Sequence, residues 1–546
     1  MRRKWVFGSS LATAAVLLAG PSWTRDEAVF DPLAISTVCG SEAASAQPAG
    51  GESRTEPPKM LSGFGNASLI ITTTSPEAQR WFNYGLQLAH AFQHEPAKAA
   101  FAEAARLDPA CAMCAWGQAW ADGPTINYDI SGAEKKTALK HALRAQALAA
   151  GAPEKERLLI AAVVRRYASG EKAWAKALSE LVKRYPTDDA VGVLAADSQM
   201  TGFSDAGAKR AVGLLETVLA RNPDHTGAIH FYIHATEWAE VPAKAVPYAD
   251  RLRGLAPAAS HLIHMPSHTW YRVGRYRDAA FANLAAIEAD KVWIGQTGWK
   301  KPDWEIPYFG HNVHFALGGA MMAGEARAAL TIADRVAGLP ADKLESPWMQ
   351  LIAGSAWFAR GRYDDPDKVL ALAAPDAKHA FLGAMRHYGR GEALARKGDA
   401  VGVRAEALSI KPAGDKLLAA QASIAREVLL GRAAMIEGRY AVAGQHFRKA
   451  AERQEKVFGD GGDPPVWWYP VRRSLAAALL ADGQAAPALG QARAVLAKWP
   501  YDPLAMSVAG RAEALLGQEG FAARDAAAAR AGWGDGDPSK VSLNLI

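Results

Sequence analysis

Several features that define common classes of protein are missing from this sequence. The 62 lysines and arginines are spread among 56 aspartates and glutamates without a long basic run, so nucleic acid is not a favoured partner. Beyond the N-terminus there is no apolar stretch of about 18 or more residues, so no membrane-spanning helix is predicted in the mature chain. The HExxH pattern of zinc proteases is absent, and no histidine follows the CAMC segment at 111–114, which excludes CxxCH haem attachment.

Residues that favour β-strands are also scarce. β-branched residues occur mainly in short runs, alanine is abundant, and 50% of the residues are hydrophobic, a composition that favours helices over sheets. A chain of 546 residues exceeds one ordinary hydrophobic core. The sequence therefore predicts a nearly all-α protein made of several domains or of a repeat array.

The N-terminus has the layout of a secretory signal. Arg2, Arg3 and Lys4 precede an apolar segment at 5–20, which is the order of charge and hydropathy in a signal peptide. The best small-residue triplet for cleavage lies far beyond it, at 44–46, so an uncleaved anchor or a misassigned start codon is an alternative. The residues before Cys39 lack a lipobox. We predict a signal and disordered leader at 1–58 and a periplasmic or secreted protein.

A constant repeat interval runs through the chain. The interval from Pro223 to Pro257 equals the intervals from Ala211 to Ala245 and from Ala245 to Ala279. It is about 34 residues, which is the period of the tetratricopeptide repeat. The consensus positions of an earlier unit are occupied by Trp81, Gly85, Ala97, Phe101, Ala104 and Pro109. On these residues the chain resembles the tetratricopeptide-repeat (TPR) family.

Turns of the same type recur further along the chain, as GRY at 274–276 and 438–440 and again at Gly483. In each unit the glycine turns the chain between two antiparallel helices. One unit cannot bury its apolar face alone, so the units are expected to stack into a superhelix with a concave inner surface. The resemblance thus implies an all-α, TPR-like α-solenoid. We divide it into an N-terminal solenoid with a histidine-rich groove at 59–340 and a C-terminal solenoid at 341–546.

Histidines are concentrated in one part of the repeat array. Eight of the 14 fall between His225 and His314, where the repeat frame begins successive units at Thr226, Ser260 and Gly310. Seven of them occupy position 2, 5 or 9 of a unit, namely His261 and His311 at 2, His230, His264 and His314 at 5, and His234 and His268 at 9. These positions share one helix face. The resemblance places that face on the concave groove, so we expect seven imidazoles to converge.

Converging imidazoles suit a transition metal. Imidazole is costly to bury without a partner and is the commonest neutral metal ligand. Nitrogen donors suit copper, zinc, nickel or ferrous iron better than calcium or magnesium, and we predict copper, zinc or iron, with two ions permitted. Glu237, at position 12, is expected in the same groove as a ligand, a partner of a histidine, or a general base, and is the candidate catalytic residue. A metal-free polar groove, or one that binds an anion or a peptide, is the alternative.

The other histidines and the paired cysteines carry weaker signals. His90 and His94 have a spacing that suits a metal but are distant in sequence from the main group. The histidines interpreted as satisfied surface or core residues are His141, His225, His379, His387 and His446. For Cys111 and Cys114, at a predicted helix start, a small disulfide or a packed pair is favoured over a redox pair or thiolate ligand.

Two segments rich in aromatic residues, at 123–130 and 463–473, are interpreted as structural elements of repeat junctions rather than as a substrate wall. The HMPSH segment at 264–268 and the PPVWWYP segment at 464–470 resemble segments of large exported bacterial TPR proteins. That resemblance covers most of the chain but implies no established reaction.

These observations predict an exported TPR-like solenoid that acts as a binding or scaffold protein. A protein, a peptide or a small molecule is expected in its concave groove, next to the histidine site. The first alternative is a metal-dependent enzyme, for which copper or iron redox chemistry is favoured over zinc hydrolysis. The second is a solenoid that binds peptides without a metal.

Overall fold

The structure is a computed structural model and describes residues 59–202, 204–412, 414–459 and 463–546. The signal and leader predicted at 1–58 lie outside these residues. Within them the regular structure is helical and contains no β-strand, which confirms the prediction of an all-α fold. No helix in these ranges is long and apolar enough to cross a membrane.

The helices follow one another along the chain with short connections. Eight lead to the histidine-rich region: α1 (Pro76–His90), α2 (His94–Leu107), α3 (Ala112–Ala121), α4 (Gly132–Leu148), α5 (Glu154–Ser169), α6 (Glu171–Arg184), α7 (Asp189–Met200) and α8 (Asp205–Arg221). Six form that region: α9 (Thr226–Trp238), α10 (Val246–Leu255), α11 (Ser260–His264), α12 (Pro266–Arg272), α13 (Tyr276–Thr297) and α14 (Phe309–Ala323).

The remaining helices complete the C-terminal half. They are α15 (Ala326–Ala337), α16 (Pro347–Tyr363), α17 (Pro366–Ala371), α18 (Ala380–Arg396), α19 (Ala400–Ser409), α20 (Lys416–Ile436), α21 (Tyr440–Phe458), α22 (Arg472–Ala481), α23 (Ala485–Lys498), α24 (Pro503–Leu515) and α25 (Glu519–Ala531). A disulfide joins Cys111 and Cys114 at the start of α3.

Consecutive helices pack in pairs around aromatic side chains that need a glycine opposite them. Phe101 of α2 lies between Gly85 of α1 and Gly117 of α3, where an added Cβ would lie 2.8 and 2.3 Å from its ring. Phe447 of α21 meets Gly431 of α20 in the same way, at 2.5 Å. The interval from Gly85 to Phe101 equals that from Gly431 to Phe447. The same packing unit therefore recurs in both halves, and the fold is a TPR-like α-solenoid.

The helices that carry the histidines begin at or beside the predicted positions. α9 begins at Thr226 and α11 at Ser260, while α14 begins at Phe309, directly before the predicted start at Gly310. The second of these units is split because Pro266 has no backbone N–H to donate within a helix. α11 therefore ends at His264, and α12 begins at Pro266.

The ends of the repeat array fold back on its middle. The Asn66 side chain accepts a hydrogen bond of 3.0 Å from the Thr226 backbone. At the other end, the Tyr276 hydroxyl donates to the Pro500 carbonyl at 3.0 Å. Three hydrophobic cores run through the array, from 64 to 265 with Tyr308 added, from 270 to 505, and from 476 to 546. The seven histidines at positions 2, 5 and 9 are buried, each at most 4% exposed, instead of lining an open groove. The division at 340 stays a prediction.

Candidate metal centre

Six of the seven predicted histidines form one continuous group of buried rings. They come from α9, from the split α11–α12 unit and from α14. Each is at most 4% exposed, and neighbouring ring centroids are 4.7–5.7 Å apart. The six are His230, His234, His261, His264, His268 and His311. The structure thus brings together side chains from three separate segments of the chain.

Three sets of side chains in this group place their ligand atoms within 4.8 Å of one another. We name the first set the HMPSH triad, which consists of His264, His268 and His311. The second set, the α9 triad, consists of His230, His234 and His261. A third set, His234, Glu237 and His268, links the two triads. His314 belongs to none of the sets found among the described residues, and its ring lies edge-on to Trp348 at 5.5 Å.

Asn283 on α13 determines which nitrogen of His264 carries the proton. His264 Nδ1 lies 2.6 Å from Asn283 Oδ1. The other end of the same amide donates from Nδ2 to the Ala279 carbonyl at 2.8 Å, so the oxygen faces the ring. An amide oxygen only accepts hydrogen bonds, so His264 donates from Nδ1. The neutral ring therefore presents a lone pair at Nε2.

Two carboxylates play the same role for His268. Its Nδ1 lies 3.0 Å from Glu237 Oε2 and 2.7 Å from Asp463 Oδ2. Burial alone would lower the pKa of His268, but the charges of Asp463 and Glu237 outweigh it and raise that pKa to about 10. Metal-bound histidines commonly donate their second N–H to a carboxylate or carbonyl in this manner.

The two Nε2 atoms of His264 and His268 face each other at 2.8 Å. With both Nδ1 atoms engaged as donors, neutral rings would point two lone pairs at one another in a buried site. A positive charge between them removes that repulsion. Either a proton on His268 or a metal ion supplies it, so the geometry fits a centre at which a metal displaces a proton.

The α9 triad has a similar orientation. His230 Nδ1 lies 2.6 Å from the His90 backbone carbonyl, so it donates there and leaves Nε2 with its lone pair. His261 Nε2 is 3.1 Å from that atom. Burial lowers the pKa of His230 to about 3 although the hydrogen bond to the His90 carbonyl opposes the change. Burial and the neighbouring histidines lower the pKa of His234 and His261 well below the usual value. These rings are neutral and able to act as ligands.

Glu237 is held by two cationic groups at once. Its Oε1 accepts from Arg272 Nε at 2.7 Å, while Oε2 faces His268. Burial alone would raise the pKa of Glu237, but the charges of Arg272 and His268 outweigh it and lower the pKa to about 2. A general base works best with a pKa near the working pH. The geometry accordingly favours a role for Glu237 in orienting His268 over a role in proton transfer.

Two aromatic residues with unusual backbone conformation enclose His261. The Phe92 ring stacks on it at 4.9 Å, and the Tyr308 ring lies at 4.4 Å. Their φ angles are 55° and 67°, and they are two of four non-glycine residues with positive φ in the described ranges. Such a conformation costs about 1–3 kcal/mol and is concentrated at functional sites.

His90 contributes through its backbone rather than through its ring. Its carbonyl accepts from His230, while its ring packs against α9 where Gly227 leaves room, since a Cβ there would lie 2.3 Å from His90 Nδ1. His94 stacks on Phe92 at 5.3 Å. Neither histidine belongs to a ligand set found in the described residues.

Four histidines outside the group each have a single hydrogen-bonding partner. His141 faces Asp122 at 2.7 Å, and His225 Nδ1 accepts from the Ala228 backbone at the start of α9 at 3.1 Å. In the C-terminal half, His387 faces Glu406 at 2.6 Å. His446 faces Glu427 at 2.8 Å. A single carboxylate satisfies each of those rings without a metal.

The aromatic segment at 463–473 has both a structural part and a part at the site. Trp467 is 1% exposed and lies between Phe358 and Tyr388, at ring distances of 5.0 and 5.1 Å, which fits the structural interpretation. The first residue of the segment, Asp463, lies at the site and faces His268. Sequence reasoning missed Asp463, Asn283 and Arg272, although His268 ends the HMPSH segment and Asp463 directly precedes the PPVWWYP segment.

No protein-family model matches the sequence, and no curated protein is significantly similar to it. Solved structures align over much of the chain at low identity. The complex of Naa15/Naa10 bound to HypK-THB is 11% identical over 86% of this chain and 90% of that chain, with a TM-score of 0.20. The TPR domain of P58(IPK) is 11% identical over 85% and 96%, with a TM-score of 0.24.

The human IFIT1 dimer with m7Gppp-AAAA is 11% identical over 77% of this chain and 89% of that chain, with a TM-score of 0.31. At scores this low the similarity carries no argument about ligand or activity. The fold follows from the packing of the helix pairs themselves.

Proposed function

We propose that this chain is an exported, TPR-like binding or scaffold protein that holds a transition-metal ion at the HMPSH triad. The observation that carries the proposal is the 2.8 Å approach of the His264 and His268 Nε2 atoms, whose Nδ1 atoms are both engaged. Three nitrogen donors in a buried site suit copper, zinc or ferrous iron. The ion would be held by His264, His268 and His311, and His268 would be oriented by Glu237 and Asp463.

A redox enzyme that uses copper or iron is the second candidate. The state of Glu237 favours it over a zinc hydrolase that uses Glu237 as its general base, because such a base works best with a pKa near the working pH and Glu237 is held as a paired anion. One-electron chemistry at a histidine-bound ion needs no such base. In the scaffold role, the remaining concave surface would bind a protein, a peptide or a small molecule.

Elemental analysis of the full chain, purified without a histidine tag and then titrated with Zn(II) or Cu(I) after chelation, tests the proposal. We expect at least one equivalent of tightly bound metal in the wild type and loss of the ion at the HMPSH triad in the double variant His264→Ala/His268→Ala. His387→Ala is the matched control, since His387 lies outside the group, and should bind metal like the wild type. A double variant that retains the wild-type metal content contradicts the ligand assignment.

Export rests on the order of charge and hydropathy at 1–20 and is tested separately. A bacterial host should deliver the full chain to the periplasm, whereas a variant that lacks the segment 2–20 should stay in the cytoplasm. Fractionation followed by immunoblotting distinguishes the two. If the full chain and the variant were found in the same compartment, the export proposal would be contradicted, and the metal proposal would be unaffected.

A further inference from the structure

The α9 triad lies beside the HMPSH triad and shares no residue with it. We propose that His230, His234 and His261 hold a second transition-metal ion, so that the site is a dinuclear centre with three histidine ligands for each ion. This inference rests on the proposed function, because a second ion has meaning only if the first triad binds one.

The geometry within the α9 triad is close to that of a bound ion. An ion at about 2.0–2.1 Å from tetrahedrally arranged nitrogens separates those nitrogens by about 3.3 Å. His230 Nε2 and His261 Nε2 are 3.1 Å apart, and the third residue, His234, lies within the 4.8 Å limit of the set. Shifts of a few tenths of an ångström up to about 1 Å would complete the coordination.

An unpartnered nitrogen marks the α9 triad as a binding site rather than a closed hydrogen-bond network. His234 Nε2 is buried and has no hydrogen-bond partner among the described residues. The residue is 3% exposed. A buried polar atom without a partner costs about 1–3 kcal/mol, and a metal ion removes that cost for a nitrogen that ligates it.

The surroundings restrict the rings of this triad. The His90 carbonyl fixes the tautomer of His230, as a metal ligand requires. Phe92 and Tyr308 enclose the ring of His261. Orientation by neighbours that are themselves held in costly backbone conformations is typical of a preorganised site.

Glu237 lies where the two ions would meet. It forms a ligand set with His234 of one triad and His268 of the other, whose rings are 5.4 Å apart. A centre of this kind suits a small ligand that spans two ions.

Metal stoichiometry tests the second ion. The chelator-treated full chain is titrated with Co(II) and followed by its visible ligand-field bands, and metal content is measured after gel filtration. We expect two equivalents in the wild type and in His387→Ala. One equivalent is expected in His230→Gln/His261→Gln and one in His264→Gln/His311→Gln, with helical circular dichroism unchanged in each.

The outcomes separate the two proposals. One equivalent in the wild type, with none lost in His230→Gln/His261→Gln, overturns the second ion and leaves the proposed function standing. No bound metal in the wild type overturns both. The wild-type stoichiometry decides the question even if a variant fails to fold. With two ions bound, His230→Gln/His261→Gln should retain half of the wild-type ligand-field intensity.

Discussion

The buried arginines of the C-terminal half and the buried imidazoles of the histidine group satisfy their polar atoms in different ways. In the C-terminal half, buried charges occur as ion pairs, such as Arg473 with Asp502 at 3.0 Å and Arg432 with Glu392 at 3.2 Å. Around α9–α14, by contrast, burial lowers the pKa of most imidazoles so that they are neutral. An ion pair is complete by itself, whereas neutral rings that share a buried space leave lone pairs for a cation.

The largest effect is expected where an ion pair of the C-terminal half is broken. Asp502→Ala leaves Arg473, which is 1% exposed, without its partner. Loss of one member of a buried pair costs about 3–5 kcal/mol, and we expect the free energy of unfolding in urea to fall by that amount. Glu437→Ala, which removes the exposed partner of Arg404, is the control and should cost less than about 1 kcal/mol. Similar losses of unfolding free energy for both variants would contradict the expectation that the buried pair contributes more than the exposed one.

Removal of the charge from a buried acid near the histidine group should raise stability, whereas removal of Asp502 should lower it. Asp290 on α13 is 2% exposed, and burial raises its pKa to about 7, with Asp303 and Arg335 as charged neighbours of smaller effect. A folded-state pKa above the unfolded value of about 3.9 means that the acid favours folding at low pH and opposes it as pH rises towards 7. Asp290→Asn should therefore gain stability over the wild type between pH 4 and 8, by up to about 4 kcal/mol.

Urea unfolding of wild type and Asp290→Asn at several pH values gives this difference directly. Comparison with the wild type removes the contributions of other titrating groups, which are common to both. A difference that stays constant with pH would show that Asp290 is ionised in the folded protein. Asp290 would then not belong with the side chains that are buried in a neutral state.

A smaller effect is expected from the groups that orient His264 and His268. Asn283→Leu and Asp463→Asn each leave the three ligands of the HMPSH triad in place but remove or weaken an acceptor for an Nδ1–H. Losses of about 10–100-fold in metal affinity, equal to about 1.4–2.7 kcal/mol, are typical of such changes. Competition with a chromophoric chelator measures them, and unchanged affinity in both variants would count against the orientation argument.

The smallest effect is expected from a histidine of the C-terminal half. His446→Gln removes a partly exposed contact with Glu427. Such pairs contribute less than about 1 kcal/mol, so thermal unfolding and metal content should both stay near the wild-type values. A clear loss of metal in this variant would mean that ligands extend beyond the six grouped histidines.

The local parts of this architecture were predictable from sequence, and the long-range parts were not. The repeat period gave the starts of α9 and α11, and the helical register placed His230 and His234 on one face. His314 shares that register but lies beside Trp348 of α16, which packs against the side of α14 away from the histidine group. The repeat register predicts on which side of a helix a residue lies. Which helix packs against that side depends on the curvature of the whole array.

The partners that orient the rings were missed for the same reason. Asp463 meets His268 only because the array folds back on itself, and no local pattern encodes that contact. The His90 carbonyl is a backbone atom, which sequence does not distinguish from any other. The joint presence of the HMPSH and PPVWWYP segments was the one available signal, because Asp463, which directly precedes PPVWWYP, contacts His268, the last residue of HMPSH.

The contact between His268 and Asp463 also has a consequence for how the protein is made. His268 lies near the middle of the sequence, whereas Asp463 lies in its last part. A growing chain emerges from its N-terminus, so all seven predicted histidines are synthesised well before the carboxylate that completes the surroundings of His268. Loading of the proposed ion in its final geometry would thus wait until the chain has been made past Asp463, and a product truncated before that residue would be recognisable by a weakly held metal.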